Sequence, residues 1–444
     1  MAAPQQKSIT ELATLIAEKT KQIEDGMKGQ PGGDFTLTHG KAPLGMKMDA
    51  SLEAVRDEMV EMMDELKARV LQPFGYMATL LLPNAALTVV FHCIYAFDIA
   101  SHVPLTPGES ITYEALASKC GMPLDDCRRV LQTAIAFRVF EEVDPSVSLR
   151  HNAVSAFFGV APGARDICGL LTEEQVGPAT KYVESIRRFP GSGEPGHSAA
   201  MILERFQRGL SNEAEKIKDP SKGLFDLVAD DEKRVTRYRN AMGMSTRAPG
   251  YGYHFFLDTV PWSDAAQCPK TVVDIGGAGG DVCKQILTRH PNIDSATVLD
   301  LPEVVATAET PSELEGRLKF EPYNFLTQTV PKKGADAYIF RHIFHDWSDQ
   351  YAVKIVKNLV PALKKGSKIW ISEVVMPELS ESTHIADQRR RGADLLMKVA
   401  YNGKERSKKG WEAVFAEADS RLRLVSVVQP KGAQDAVIEV VFDD

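Results

Sequence analysis

The sequence predicts an α/β protein: a mostly parallel sheet in the C-terminal half, preceded by a mainly helical N-terminal half. Three observations carry that expectation. From about residue 270, five apolar runs (KTVVDIG, SATVLD, KFEPYNF, ADAYIF and SKIWISEVV) alternate with helical patterns at 282–290, 302–310 and 351–363. Near-continuous apolar runs belong to strands covered on both faces, which is the condition of a parallel sheet. The residues before 270 carry mainly helical periodicity. The last stretch, RLRLVSVVQPKGAQDAVIEVVF, has the form of a hairpin, so an antiparallel pair completes one edge.

A chain of 444 residues exceeds one ordinary core. Its texture divides it into an N-terminal helical extension with linker (1–69), a winged-helix segment (70–165), a helical connector (166–252) and the sheet-bearing domain (253–444). The first segment reads as helices at 8–26 and 50–69 about the Gly/Pro-rich spacer GQPGGDFTLTHGKAPLG. Residues 74–97 carry no Asp, Glu, Lys or Arg. Pro83, Asn84 and His92 interrupt that run, and the expectation is a buried core or subunit-interface helix pair rather than a membrane span. ITYEALASKCGMPLDDCRRVLQTAIAFRVFEEV then reads as helix, tight turn, helix and two short strands, a winged helix-turn-helix. The connector is broken at PGSGEPGHS, and it ends in RYRNAMGMSTRAPGYGYHFF, rich in Met and aromatics.

Charge narrows the function. The formal net charge is -8, with lysine and arginine scattered rather than gathered in a stripe. Residues 124–137 balance Arg128 and Arg129 against Asp125 and Asp126, so the winged helix is expected to be structural or dimerising rather than DNA-reading. Six cysteines without a CxxC pair argue for free thiols and against a zinc site. The polar N-terminus has no secretory pattern, and a cytoplasmic protein is expected.

Ligands bind outside the carboxyl ends of such open sheets. Those ends carry Asp274 with IGGAGG, Asp300, Asn324 with Phe325, the cluster RHIFHDW, and Glu373. Gly276, Gly277 and Gly280 let the backbone turn sharply and approach a ligand. Neither the dinucleotide pattern nor a P-loop fits, which leaves a nucleoside site. Asp300 suits a ribose diol, and Asn324 and Phe325 suit an adenine.

VVDIGGAGG, VLDLPEVV, FRHIFHDWSD, ISEVVMPE and NGKERSKKGW together resemble the successive motifs of S-adenosyl-L-methionine-dependent O-methyltransferases, in the branch of plant caffeate-type and fungal secondary-metabolite enzymes. The resemblance runs from about residue 70 to the end. It implies a Rossmann-like class I methyltransferase sheet and a homodimer joined through the winged helix. It places Gly276, Gly277 and Gly280 under the methionine part of the cofactor, Asp300 and Leu301 at the ribose, and Asn324 and Phe325 at the adenine. Arg341 falls near the cofactor, His345 is the catalytic base, and Glu373 and Glu405 flank it. Met242, Met397 and Asn402 fall in segments lining the acceptor pocket. Ala278 stands where the family has a glycine, and Asn324 where it has an acid.

A phenol with a pKa near 10 needs a base, and a neutral imidazole suits that task. No metal is expected, and no metal-ligand spacing appears. His342 is expected to cap or pack, and Ser348 or Asp349 to cap the helix that follows. The leading expectation is methyl transfer to a phenolic or enolic hydroxyl of a small aromatic or polyketide-type metabolite. Against it stand a pericyclase or other non-methylating catalyst that keeps the cofactor, and a DNA-binding regulator.

Overall fold

The computed structural model describes residues 7–40, 48–208, 219–246, 248, 250–262, 264, 268–378 and 383–443. The end of the Gly/Pro-rich spacer, 41–45, lies outside them. The chain forms two compact units. One comprises Met1–Gly177, Asp231–Met244 and Thr383–Ala386, the other Pro178–Asp230, Ser245–Ser382 and Asp387–Asp444.

In the first unit, Ser8 and Glu11 form a capping box that starts helix Ile9–Met27. This helix packs along Ala50–Ala96, whose N-terminus Asp49 caps. The expected helix pair at 74–97 is corrected here. The break lies at Gln72, directly before Pro73, where φ is +58 and ψ 168, whereas Pro83 is accommodated within the helix. Within that helix only Val90 and Ile94 are buried; Phe74 is 79% exposed and Leu82 75%. The run is therefore not a buried core pair within the subunit. It is the one described helix long and apolar enough to cross a membrane.

The winged element forms as expected. Helix Tyr113–Cys120 is capped by Thr112 and ended by left-handed Gly121, and helix Leu124–Ala136 follows. Strands β1 (Ile111–Thr112), β2 (Glu141–Asp144) and β3 (Ser148–Arg150) pair in the order β1-β3-β2. Arg128 pairs with Glu114 and Arg129 with Asp125, which neutralises the two arginines a nucleic-acid reader would use.

The second unit holds a sheet of β4 (Thr271–Ile275), β5 (Ser295–Asp300), β6 (Leu318–Pro322), β7 (Ala337–Arg341), β8 (Lys368–Glu373), β9 (Leu422–Val428) and β10 (Ala436–Phe442). Its order is β6-β5-β4-β7-β8-β10-β9. The five strands read from the sequence are parallel to one another, and β9 and β10 form the antiparallel edge. Apolar side chains cover both faces, Tyr338 and Phe340 on one and Ala337 and Ile339 on the other, which is why ADAYIF shows no alternation. The expected helix at 302–310 is shorter, Pro302–Val305. Strand order reverses between β4 and β7, so the carboxyl ends of β4, β5, β7 and β8 meet along one rim.

Candidate active site

The first rim element is the glycine turn after β4. Gly276 and Gly280 take left-handed φ of +73 and +75, and a Cβ at either would strike Ile343 or the ring of Phe320. Gly277 lies against the buried carboxyl of Asp274, which burial pushes up to about 7. Ala278 also sits at positive φ, +48, so the methyl that replaces hydrogen here is a matter of backbone strain as well as crowding.

Asp300 closes the turn from the next strand. Its Oδ2 accepts from the Ala278 amide at 2.8 Å and its Oδ1 from the Leu301 amide at 2.7 Å. Burial raises its carboxyl, and the two amides partly offset that. Each oxygen keeps a lone pair, as a carboxylate that receives a diol requires. Leu301 is 37% exposed beside it. Asn324 turns its side-chain oxygen onto the Leu326 amide, 2.9 Å away, and keeps one acceptor lone pair and its amide hydrogens. Phe325 packs between the core and the Gly276 turn, with its ring edge-on to Trp347 at 5.9 Å.

Past β7 the chain turns sharply and presents His345. Its Nδ1 is 3.1 Å from Glu405 Oε1 and 3.9 Å from Glu373 Oε2, and its Nε2 is 3.6 Å from Asp346 Oδ1. Burial alone would favour the neutral ring, but Asp346, Glu373 and Glu405 outweigh it and hold the imidazole well above its ordinary range. Burial pushes Asp346 up to about 7, and it raises Glu373 as well, even though His345 pulls both the other way. Glu373 Oε1 accepts from the amides of Ile343 and Phe344, both at 2.7 Å, whereas Oε2 is buried without a hydrogen-bond partner among the described residues. Burial thus favours the protonated form of Asp346 and Glu373 while His345 favours their charged form, so these groups titrate as a coupled set. A ligand atom from each of His345, Glu373 and Glu405 falls within 4.8 Å of the others, a grouping able to hold a cation as well as a proton.

Several residues that position this cluster escaped the sequence reading. Arg406, 1% exposed, donates to the carbonyls of Phe344, Trp347 and Lys404 and to Asp349, clamping the histidine turn. Gly403 passes so close to the His345 carbonyl that a Cβ would lie 2.2 Å from it. Asp394 Oδ1 receives the Glu405 amide at 2.8 Å. Only the basic and small character of NGKER hinted at them. Ser348 precedes the helix Asp349–Leu359 as expected, but its hydroxyl goes to the Gly193 carbonyl at 2.7 Å rather than to a capping bond.

Other predicted residues fall differently. Arg341 is spent within the fold: it donates to the Tyr251 carbonyl at 2.7 Å, lies over the Tyr253 ring at 4.9 Å and approaches Asp435 at 3.9 Å. Asn402, 3% exposed, uses both amide hydrogens on the carbonyls of Ser192 and Glu194, at 2.9 and 2.8 Å. Met397 lies half-buried on helix His384–Tyr401, and Met242 belongs to the first unit, 37% exposed on helix Glu232–Ser245. The structure thus groups His345, Glu373 and Glu405 with the glycine turn and Asp300 on one sheet rim, and Met242 is not among them.

A family model described as an O-methyltransferase domain matches residues 222–420. The chain is 28% identical over 439 residues to the O-methyltransferase kk1A of Curvularia clavata, covering 98% of each. Residues 222–420 thus carry an O-methyltransferase domain, and the chain is similar over nearly its whole length to a fungal O-methyltransferase. Among solved structures, OxaC superposes on this methyltransferase fold with a TM-score of 0.75 at 16% identity, covering 98% of this chain and 99% of that one. A protein described as a pericyclic reaction enzyme does so with 0.72 at 20% identity, covering 97% and 100%. At these identities the likeness is one of fold.

Proposed function

We propose that this chain methylates a phenolic or enolic hydroxyl of a small secondary metabolite, with His345 receiving the proton. One observation carries the reading: an imidazole is anchored at Nδ1 by a buried carboxylate while Nε2 makes no hydrogen bond among the described residues, and it lies on the same sheet rim as the glycine turn. S-adenosylmethionine supplies an electrophilic methyl on a sulfonium. Gly276, Gly277 and Gly280 receive its methionine part, Asp300 and Leu301 the ribose, and Asn324 and Phe325 the adenine. The glycines keep the turn tight against Ile343, Asp274 and Phe320, and each Asp300 oxygen accepts only one amide, which leaves it acceptor capacity for a diol. The hydroxyl proton passes to His345 Nε2, and Glu405 and Glu373 stabilise the imidazolium that forms. Arg341, Asn402 and Arg406 hold the surrounding turns rather than the reacting atoms.

His345→Ala should lower turnover about 10²–10⁴-fold while S-adenosylhomocysteine still binds. Mass analysis of product and calorimetry of binding check this, and unchanged turnover would remove the base. A second reading has one observation in its favour: the carboxylates around His345 raise its pKa well above the ordinary range and so favour the imidazolium, which donates a hydrogen bond rather than accepting a proton. A non-methylating catalyst would use it so. A product heavier by one methyl supports transfer, and an isomer of unchanged mass supports the second reading. The segment with Met397 lines the acceptor side in this reading, and two copies associate through the exposed apolar face of helix Ala50–Ala96.

A further inference from the structure

His342 has no task in the reaction just described, yet it is not the packing or capping residue its sequence context suggests. It follows β7 directly, and its backbone lies in the left-handed region at φ +52, which a residue with a side chain adopts only when its surroundings impose it. Its Nε2 lies 2.6 Å from Asp435 Oδ2, and the same oxygen accepts from the Ser372 hydroxyl at 3.2 Å. Asp435 is 6% exposed, and its Oδ1 has no hydrogen-bond partner among the described residues. Burial would raise this carboxyl, but His342 and Arg341 outweigh it and hold it below its ordinary range. The 2.6 Å contact is the one an Nε2–H makes when it donates to a carboxylate.

The His342 ring lies 5.6 Å from that of His345, with the planes 28° apart, and the Tyr251 ring stands edge-on to it at 5.9 Å. The side chain keeps 26% of its surface open, and Nδ1 makes no hydrogen bond to any described residue. Two imidazoles thus stand side by side at one rim. Each is tied at one nitrogen to a buried carboxylate, and each keeps the other nitrogen unspent. Two imidazoles with ring centres 5.6 Å apart can each take one oxygen of a substrate that carries two adjacent oxygens, at the usual hydrogen-bond reach of about 2.8 Å. A neutral His342 ring accepts from a hydroxyl at Nδ1, and a protonated one donates to a carbonyl.

We propose, building on the methyl-transfer reading, that His342 held by Asp435 selects the acceptor by contacting an oxygen ortho or peri to the hydroxyl that faces His345. The substrate class is then a compound with two adjacent oxygens: a peri-hydroxyquinone, an ortho-acylphenol or an enolised 1,3-diketone. A compound lacking the second oxygen leaves a half-buried nitrogen unpaired and is discriminated against for that reason.

The test uses two isomers, 1-hydroxyanthraquinone, whose hydroxyl and carbonyl are peri, and 2-hydroxyanthraquinone, whose oxygens are apart. Binding of each to the full chain is titrated in the presence of S-adenosylhomocysteine, and methylation of each is followed with the methyl donor. The wild type should favour the 1-hydroxy isomer about tenfold or more in both Kd and kcat/KM. His342→Asn, which tolerates the left-handed backbone, and Asp435→Asn should each abolish that preference through KM rather than kcat, with melting temperatures near the wild type. Equal binding of the isomers by the wild type overturns the proposal, as does a preference that survives in His342→Asn. If the binding preference is present and lost in the variant but no methylated product forms, the selection stands and methyl transfer falls. If both isomers are methylated alike, the selection alone falls.

Discussion

At the scale of single residues, the site is governed by proton sharing. Asp346, Glu373 and Glu405 hold His345 above its ordinary value, so the ring's contribution to folding stability is complete below about pH 6.5 and is lost as pH rises through the folded value. Turnover that needs the neutral ring should rise over that same upper window. Glu405→Gln removes one stabilising carboxylate, so the rising limb of the pH–rate profile should move to lower pH, and a limb that stays in place would remove Glu405 from the cluster. Ala278 offers a second test. Its positive φ costs a non-glycine residue about 1–2 kcal/mol, and glycine's extra chain entropy returns about 0.5–1 kcal/mol of that. Ala278→Gly should therefore stabilise the fold by roughly 0.5–1 kcal/mol in denaturant titrations without weakening S-adenosylhomocysteine binding.

At the scale of elements, the parallel strands were legible because burial on both faces removes alternation, and SATVLD or ADAYIF has no other comfortable place. The turns between element and site were less so. Nothing in NGKER announces that Gly403 lies beneath the His345 carbonyl or that Arg406 ties two carbonyls of the histidine turn to that of Lys404. Gly403→Ala forces a Cβ to within 2.2 Å of that carbonyl, and overpacking of this kind costs about 2–3 kcal/mol. Denaturant midpoints should fall accordingly and turnover with them. Helix Ala50–Ala96 shows the opposite failure. Its apolar run and Pro83 were visible, but the backbone breaks at Gln72, before Pro73, and runs helical through Pro83, a difference that no local pattern records.

At the scale of the whole molecule, the exposed face of that helix stands out. Val70, Phe74, Leu81 and Leu82 are each at least 60% exposed, and burying a large apolar side chain contributes about 1.5–3 kcal/mol. A second copy covering this face would account for it. Phe74→Asp with Leu81→Asp should convert a dimer to a monomer in sedimentation velocity while melting of the sheet-bearing unit is unaffected. A wild type that sediments as a monomer, or that partitions onto lipid vesicles, would reject the dimer.

By itself the sequence determined the sheet, its antiparallel edge, the glycine turn and the strand-end residues Asp300, His345 and Glu373, because apolar continuity and turn chemistry are local properties of the chain. Only the tertiary structure decided which of the polar residues share protons. Glu405 reaches His345 across 60 positions and Asp435 reaches His342 across 93. Such distances along the chain close only when strands from both ends of the domain meet at one rim, and no local pattern records that meeting.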